Sequence, residues 1–224
     1  AAGHLPKYDQ HCLHLSKQDI QKNLDAKVPY TTRMVIPKNE TIIFDGAMGT
    51  MLQKRGLKRG EIPELLNLTS PEIIRSIHDE YFDAGCDVVS ANTFGANRYK
   101  AEKTGRSLAD LVSSAVEIAK KAASCRKKKY AALDIGPCGR VLQPTGDLPF
   151  EEAVEVFSEI VRAGSKAGAD LILLETFTDL YELKAALIAV KENSNLPVLA
   201  TMSFEENGTS FFGATVESMV LTLQ

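Results

Sequence analysis

From Thr41 onward the chain repeats one pattern: a short apolar run that ends in small, polar or acidic residues, followed by an amphipathic stretch. Thr41–Phe44 gives way to Asp45-Gly46-Ala47-Met48-Gly49-Thr50, and Cys86–Ala91 to Asn92-Thr93-Phe94. Tyr130–Ile135 ends in Asp134-Ile135-Gly136-Pro137, Asp170–Leu174 in Glu175-Thr176-Phe177, and Pro197–Met202 in Ser203-Phe204. These runs are continuously apolar rather than alternating, which is the pattern of strands buried on both faces of a parallel sheet. In such a sheet the strand ends open onto one face, and that face carries the chemistry of α/β enzymes.

The stretches between the runs predict helices. Pro71–Ala84 has Ser70 as N-cap and Pro71 as first helical residue, and Gly85 stops it. Ser107-Leu108-Ala109-Asp110 has the form of a capping box and opens a helix to about Ser124. Phe150–Ala167 ends at Gly168, Thr178 is the expected cap of Asp179–Glu192, and Thr215–Gln224 opens a last helix. A complete eightfold barrel takes about 250 residues, so the repeat predicts a (β/α)8 TIM barrel of which the chain carries about the first five β/α units. The competing doubly wound sheet lacks support: no Gly-x-Gly-x-x-Gly follows the first run, and there is no Walker-A sequence. Residues 1–33 stand apart as an N-terminal arm of unknown role, with residues 34–224 forming the incomplete barrel. The arm holds His4, His11 and His14, and the spacing of His11-Cys12-x-His14 matches no standard metal site.

Composition narrows the function. The 224 residues are 44% hydrophobic and 25% charged, enough for one sizeable core. A net charge of −3 and a pI near 5.9 argue against nucleic acid or a membrane surface as partner. The basic run Arg126-Lys127-Lys128-Lys129 closes a helix, where cations complement the dipole. No run approaches the ~20 apolar residues of a membrane span, and the polar start lacks a secretory pattern. Cys12, Cys86, Cys125 and Cys138 are spaced for neither disulfides nor zinc, so the expectation is a cytoplasmic protein with reduced thiols.

Asp45 and Glu175 are acidic groups at strand ends, and an unpaired buried charge costs several kcal/mol. Each therefore calls for solvent, a cation or a ligand, and the pair resembles a receptor for an ammonium group. The competing assignments are a helix cap or a loop salt bridge. Gly46 and Ala47 offer backbone N–H groups to a carboxylate. Asn92 and Thr93 supply neutral hydrogen bonds, to a ligand or to their own loop. Gly136-Pro137 reads as a tight turn, and Phe94, Phe177 and Phe204 as packing beneath the loops, with walling a pocket as the alternative. His78, inside a helix, reads as structural or exposed.

Taken in order, Phe44-Asp45-Gly46-Ala47-Met48-Gly49-Thr50, Ala91-Asn92-Thr93-Phe94-Gly95-Ala96, Asp134-Ile135-Gly136-Pro137 and Leu174-Glu175-Thr176-Phe177 with Glu182-Leu183-Lys184-Ala185-Ala186 are a specific set. From about Ile42 to the C-terminus the chain resembles the N-terminal portion of the homocysteine-binding (homocysteine S-methyltransferase) module of cobalamin-dependent methionine synthases. The resemblance implies a barrel that binds homocysteine at its C-terminal face. Asp45 and Glu175 would hold the ammonium, and the backbone of Gly46 and Ala47, helped by Thr93, the carboxylate. It implies methyl transfer to a zinc-activated thiolate, with methylcobalamin as donor. The family's three zinc cysteines fall beyond Gln224, so no metal ligand and no catalytic residue is assigned, and neither zinc nor cobalamin is expected on this chain. The implied partners are homocysteine, the missing barrel half and downstream folate- and cobalamin-binding modules. The expectation is that this portion alone is inactive. The rivals are a thiol methyltransferase using betaine or S-methylmethionine, and a non-catalytic amino-acid-binding or scaffold fragment.

Overall fold

The computed structural model describes residues 41–223, which adopt an α/β fold. In chain order these are α1 (Met48–Lys54), a 3-10 turn (Pro63–Leu65) running into α2 (Leu66–Thr69), α3 (Pro71–Asp83), β1 (Val88–Ser90), α4 (Arg98–Thr104) and α5 (Leu108–Ser124). There follow β2 (Tyr130–Ile135), α6 (Phe150–Lys166), β3 (Leu171–Phe177), α7 (Leu180–Asn193), β4 (Val198–Met202) and α8 (Val216–Leu223). The expected N-terminal arm, including the His11–His14 segment, lies outside the described residues.

The sheet order is β1-β2-β3-β4, and every pair is parallel. Strands adjacent in sequence are adjacent in space, as in a β/α barrel and unlike a doubly wound sheet, where the order reverses. The expected first strand is corrected to a single parallel bridge, Phe44 to Val88. Asp45 N–H donates to the Val88 carbonyl at 2.9 Å, and the Ile43 carbonyl accepts from Asp87 N–H at 2.7 Å. The Asp87 carboxylate takes the Ile43 N–H at 3.0 Å, so a side chain replaces the next rung of the ladder.

Period-two alternation sorts the strand residues into two layers. Val89, Ala131, Leu133, Ile135, Ile172 and Leu174 face the helices and join the main core. Val88, Ala132, Leu171 and Leu173 form a second layer on the opposite face, with Phe44 and Leu199 packed against it. Continuing that inner row by two residues reaches Ser90, Asp134, Glu175 and Thr201. The apolar inner layer is thus capped by polar groups at the C-terminal ends of the strands.

Helix ends follow their local chemistry. Ser107 Oγ accepts from Asp110 N–H at 3.2 Å and starts α5. α7 is capped by Asp179, whose carboxylate accepts from Tyr181 N–H at 2.8 Å, so the expected cap Thr178 is corrected by one residue. Ser70 occupies the N-cap of α3 without a side-chain bond. At Gly85 φ is +110°, a conformation that favours glycine and ends the α3 turn.

Candidate functional site

A cavity of about 640 Å³ opens at the C-terminal ends of the strands. Phe44, Asp45, Gly46 and Ala47 line it from the bridge segment, Ser90 and Asn92 from the end of β1, Asp134 from β2, Glu175 and Thr176 from β3, and Thr201 from β4. The expected ligand-binding residues Asp45, Gly46, Ala47, Asn92 and Glu175 therefore meet at one cavity. Thr93 does not join them. It is fully buried, its hydroxyl donates to the Asp134 carbonyl at 2.6 Å and its N–H to the Ala91 carbonyl at 2.7 Å.

Asp45 is held by Ser90, whose N–H and hydroxyl each donate to one carboxylate oxygen at 2.9 Å. Burial outweighs these bonds and, with repulsion from Glu175, pushes the Asp45 carboxyl up to about 6. Glu175 is half-buried and lies at a register shift between β3 and β4. Thr176, next to it, has φ +60°, and its N–H is taken by Thr201 Oγ1 at 2.9 Å. A bulge of this kind re-aims a strand end beside a site.

Asn92 reaches the cavity, but its amide nitrogen donates to the Pro63 carbonyl at 2.8 Å and to Asn67 Oδ1 at 2.9 Å. That pairing fixes the loop, the second of its two anticipated roles. Gly46 and Ala47 precede α1, whose first-turn amides have no intrahelical acceptor. Phe94 takes the alternative role, that of a pocket wall, rather than packing: it is 44% exposed and lines the cavity, its ring lying where a Cβ on Gly136 would stand. Phe177 does pack, fully buried with its ring 5.9 Å from Phe157.

Three charged residues at this cavity were not anticipated as site residues. Asp134 is 5% exposed, and its Oδ1 has no hydrogen-bond partner. Burial first, then Glu175, Asp45 and Glu64, hold its carboxyl well above the usual range. Glu64, also buried, accepts from Gly95 N–H at 2.8 Å and pairs with Lys100 at 3.2 Å. Among the described lining residues the acids Asp45, Glu64, Asp134 and Glu175 face one base, Lys100. The charged groups of the described lining are thus predominantly acidic. Asp134 was detectable as the residue two beyond Ala132 on the inner row; Glu64 and Lys100, in helical turns, gave no such signal.

The homocysteine S-methyltransferase family model matches residues 42–224. The chain belongs to the homocysteine S-methyltransferase family. It is 29% identical to methionine synthase of Mycobacterium tuberculosis over 211 residues, covering 87% of this chain and 18% of that protein. Against methionine synthase of Mycobacterium leprae it is again 29% identical, over 204 residues, covering 82% and 16% respectively. The chain thus spans about a sixth of the length of these relatives. The homocysteine methyltransferase MmuM of Escherichia coli shares the fold, with a TM-score of 0.70 and 22% identity for its metallated form over 83% of this chain and 71% of that one. Its apo form gives 0.65 and 21% over 83% and 68%.

Within this family member the described residues do not fit a zinc ion. No three of their His, Cys, Asp and Glu side chains form a metal-holding group. Burial pushes the Cys86 thiol up to about 11, and burial beside Glu182 pushes the Cys138 thiol up to about 12. Cys138, placed by its position after Gly136-Pro137 near the mouth, is buried, with its N–H on Glu182 at 2.8 Å. Cys125 is exposed at the end of α5.

Proposed function

We propose that this chain is the substrate-binding part of a homocysteine S-methyltransferase of the methionine synthase kind, carrying about five units of an eightfold β/α barrel. The observation that carries the proposal is the meeting of Asp45 and Glu175 with the Gly46–Ala47 backbone at one cavity on the C-terminal face of a parallel sheet. Homocysteine is a thiol bearing an ammonium and a carboxylate. In this reading Asp45 and Glu175 take the ammonium, and the backbone of Gly46 and Ala47 takes the carboxylate. Asp45 is fixed by Ser90 before the ligand arrives, so little reorganisation is spent on binding. Phe94 forms part of the cavity wall.

Anchoring both groups of the amino-acid end leaves the thiol as the free, reacting end. The methyl acceptor in this reading is that sulfur, which is nucleophilic as thiolate. No described residue is placed to remove its proton, so activation and the donor, methylcobalamin in this reading, are assigned to parts of the protein outside this chain. The relatives' much greater length supports such a division.

The test is calorimetric titration of the intact protein with L-homocysteine. Charge-assisted hydrogen bonds are worth about 1.5–3 kcal/mol, so Glu175→Gln is expected to weaken binding about tenfold or more while metal content stays constant. Unchanged affinity would return Glu175 to a structural role. Binding is also expected to weaken as pH falls through about 6, because the neutral Asp45 carboxyl attracts an ammonium less.

A further inference from the structure

The loop after β1 presents an aromatic ring that it does not bury. Phe94 is 44% exposed and lines the cavity, yet the peptide that carries it is held at both ends. The Phe94 carbonyl accepts from Gly136 N–H at 2.9 Å, and the Gly95 N–H of the same peptide donates to Glu64 Oε1 at 2.8 Å. A trans peptide points these two groups in opposite directions, so its plane is clamped between the end of β2 and the 3-10 turn. The ring itself rests on Gly136, where a Cβ would stand 2.6 Å from it. We propose, building on the homocysteine reading above, that Glu64 is a positioning residue: through the Gly95 amide it holds Phe94 where the ring meets the carbon chain and sulfur of the bound amino acid.

Glu64 is equipped for that task. Its carboxylate is buried, and Lys100 Nζ lies 3.2 and 3.4 Å from its two oxygens, so a cation on α4 fixes the acid. A hydrogen bond to an ionised acceptor is stronger than a neutral one, which suits a carboxylate to holding a loop amide. Gly95 leaves room for the pair: a Cβ there would collide with Lys100 Nζ and stand 2.6 Å from Glu64 Oε1. Two more bonds tie the same loop to β2 and its end, Thr93 Oγ1 to the Asp134 carbonyl at 2.6 Å and Asn97 Nδ2 to the Cys138 carbonyl at 3.1 Å. A ring this exposed contributes little to folding by being held still. A ligand laid against it gains, because the loop is ordered before binding. With the amino-acid end at Asp45, Glu175 and the Gly46–Ala47 backbone, the methylenes and the sulfur remain to meet an apolar wall, and sulfur–aromatic contacts are favourable.

The experiment is a double-mutant cycle, read by calorimetric titration of the intact protein with L-homocysteine. Phe94→Ala is expected to weaken binding about tenfold, the scale of two methylenes and a sulfur losing their contact. Glu64→Ala is expected to weaken it about tenfold by itself, but by less than about twofold further once Phe94 is alanine. Glu64→Gln keeps an oxygen for the Gly95 N–H and is expected to bind within about threefold of wild type.

Equal losses from Glu64→Ala with and without the Phe94 ring would overturn the inference, because Glu64 would then act on the ligand independently of that ring. A loss in Glu64→Gln as large as in Glu64→Ala would overturn it too, and would assign the effect to charge acting on the ammonium. If Glu64→Ala does not fold, Gly95→Ala, which crowds the ion pair and leaves Glu64 in the chain, takes its place in the cycle with the same two outcomes. Wild-type binding that is untouched in Phe94→Ala or in Glu64→Ala overturns only this role of Glu64. A wild-type protein that binds no homocysteine overturns the homocysteine reading and this one with it.

Discussion

Burial pushes the carboxyl of Asp45 up to about 6 and the imidazole of His78 down to about 4. The two act oppositely on stability. Between 3.8 and 6 the folded state holds the Asp45 proton more tightly than the unfolded chain, so stability falls as pH rises through that window. Between 4 and 6.5 the unfolded chain takes up the His78 proton first, so stability falls as pH drops. The windows overlap and largely cancel. Asp45→Asn is expected to be more stable than wild type at pH 8, by up to roughly 3 kcal/mol, while losing homocysteine affinity. Without the Asp45 offset, its stability is expected to fall more steeply than that of wild type from pH 6.5 towards 4, which urea unfolding at pH 8, 6 and 4.5 measures. His78 is fully buried with neither ring nitrogen partnered, settling the choice left open between structural and exposed. His78→Leu is expected to gain about 1–3 kcal/mol and to flatten the acid decline, because it removes an unsatisfied polar ring from the neighbourhood of Ile74 and Ile77. Asp45 and Glu175 were legible in the sequence because each directly follows an apolar run. Asp134 was not singled out because it sits inside its run, before Ile135, and only the two-residue alternation marks it.

At the scale of elements, legibility tracked length. β2 spans Tyr130–Ile135 as expected, and α5 and α6 agree with expectation to within a residue or two, because a long apolar face repeats enough to be read. α1, the 3-10 turn with α2, and α4 were not anticipated. Each is at most two turns long, too short to display a period, and each is held by tertiary bonds such as Glu64 to Gly95. These short pieces supply Glu64 and Lys100, which is why part of the cavity stayed hidden. The contact between α6 and β2 depends on a missing side chain. A Cβ at Gly164 would press inside van der Waals contact with the Leu133 side chain, itself fully buried. Gly164→Ala gains helix propensity of up to about 1 kcal/mol. Overpacking costs about 1–3 kcal/mol, so the net expectation is a loss of about 1 kcal/mol. A lower urea midpoint with an unchanged slope would show it, and a rise would mean that Leu133 finds another rotamer freely.

At the scale of the molecule, the parallel sheet in sequential order was legible from the repeat itself, since only helix crossovers fit between such runs. How its borders are finished was not. None of the β4 residues is buried, and α8 buries none of its residues although five of its eight are apolar. Leu221 is 75% exposed and Phe211 72%, and at the other border Ile43 is 53% exposed. Strand edges with open N–H and C=O groups beside apolar surface pair with other chains. The 224-residue chain alone is therefore expected to associate in solution, with slow hydrogen exchange in β2 and β3 and fast exchange in β4 and α8. Leu221→Lys is expected to shift light scattering towards the monomer without lowering the urea midpoint, because that side chain contributes to contact between copies and little to the core. A wild-type chain that scatters as a compact monomer, with β4 amides as protected as those of β3, would contradict this and require that the border between β4 and α8 is closed from within the chain.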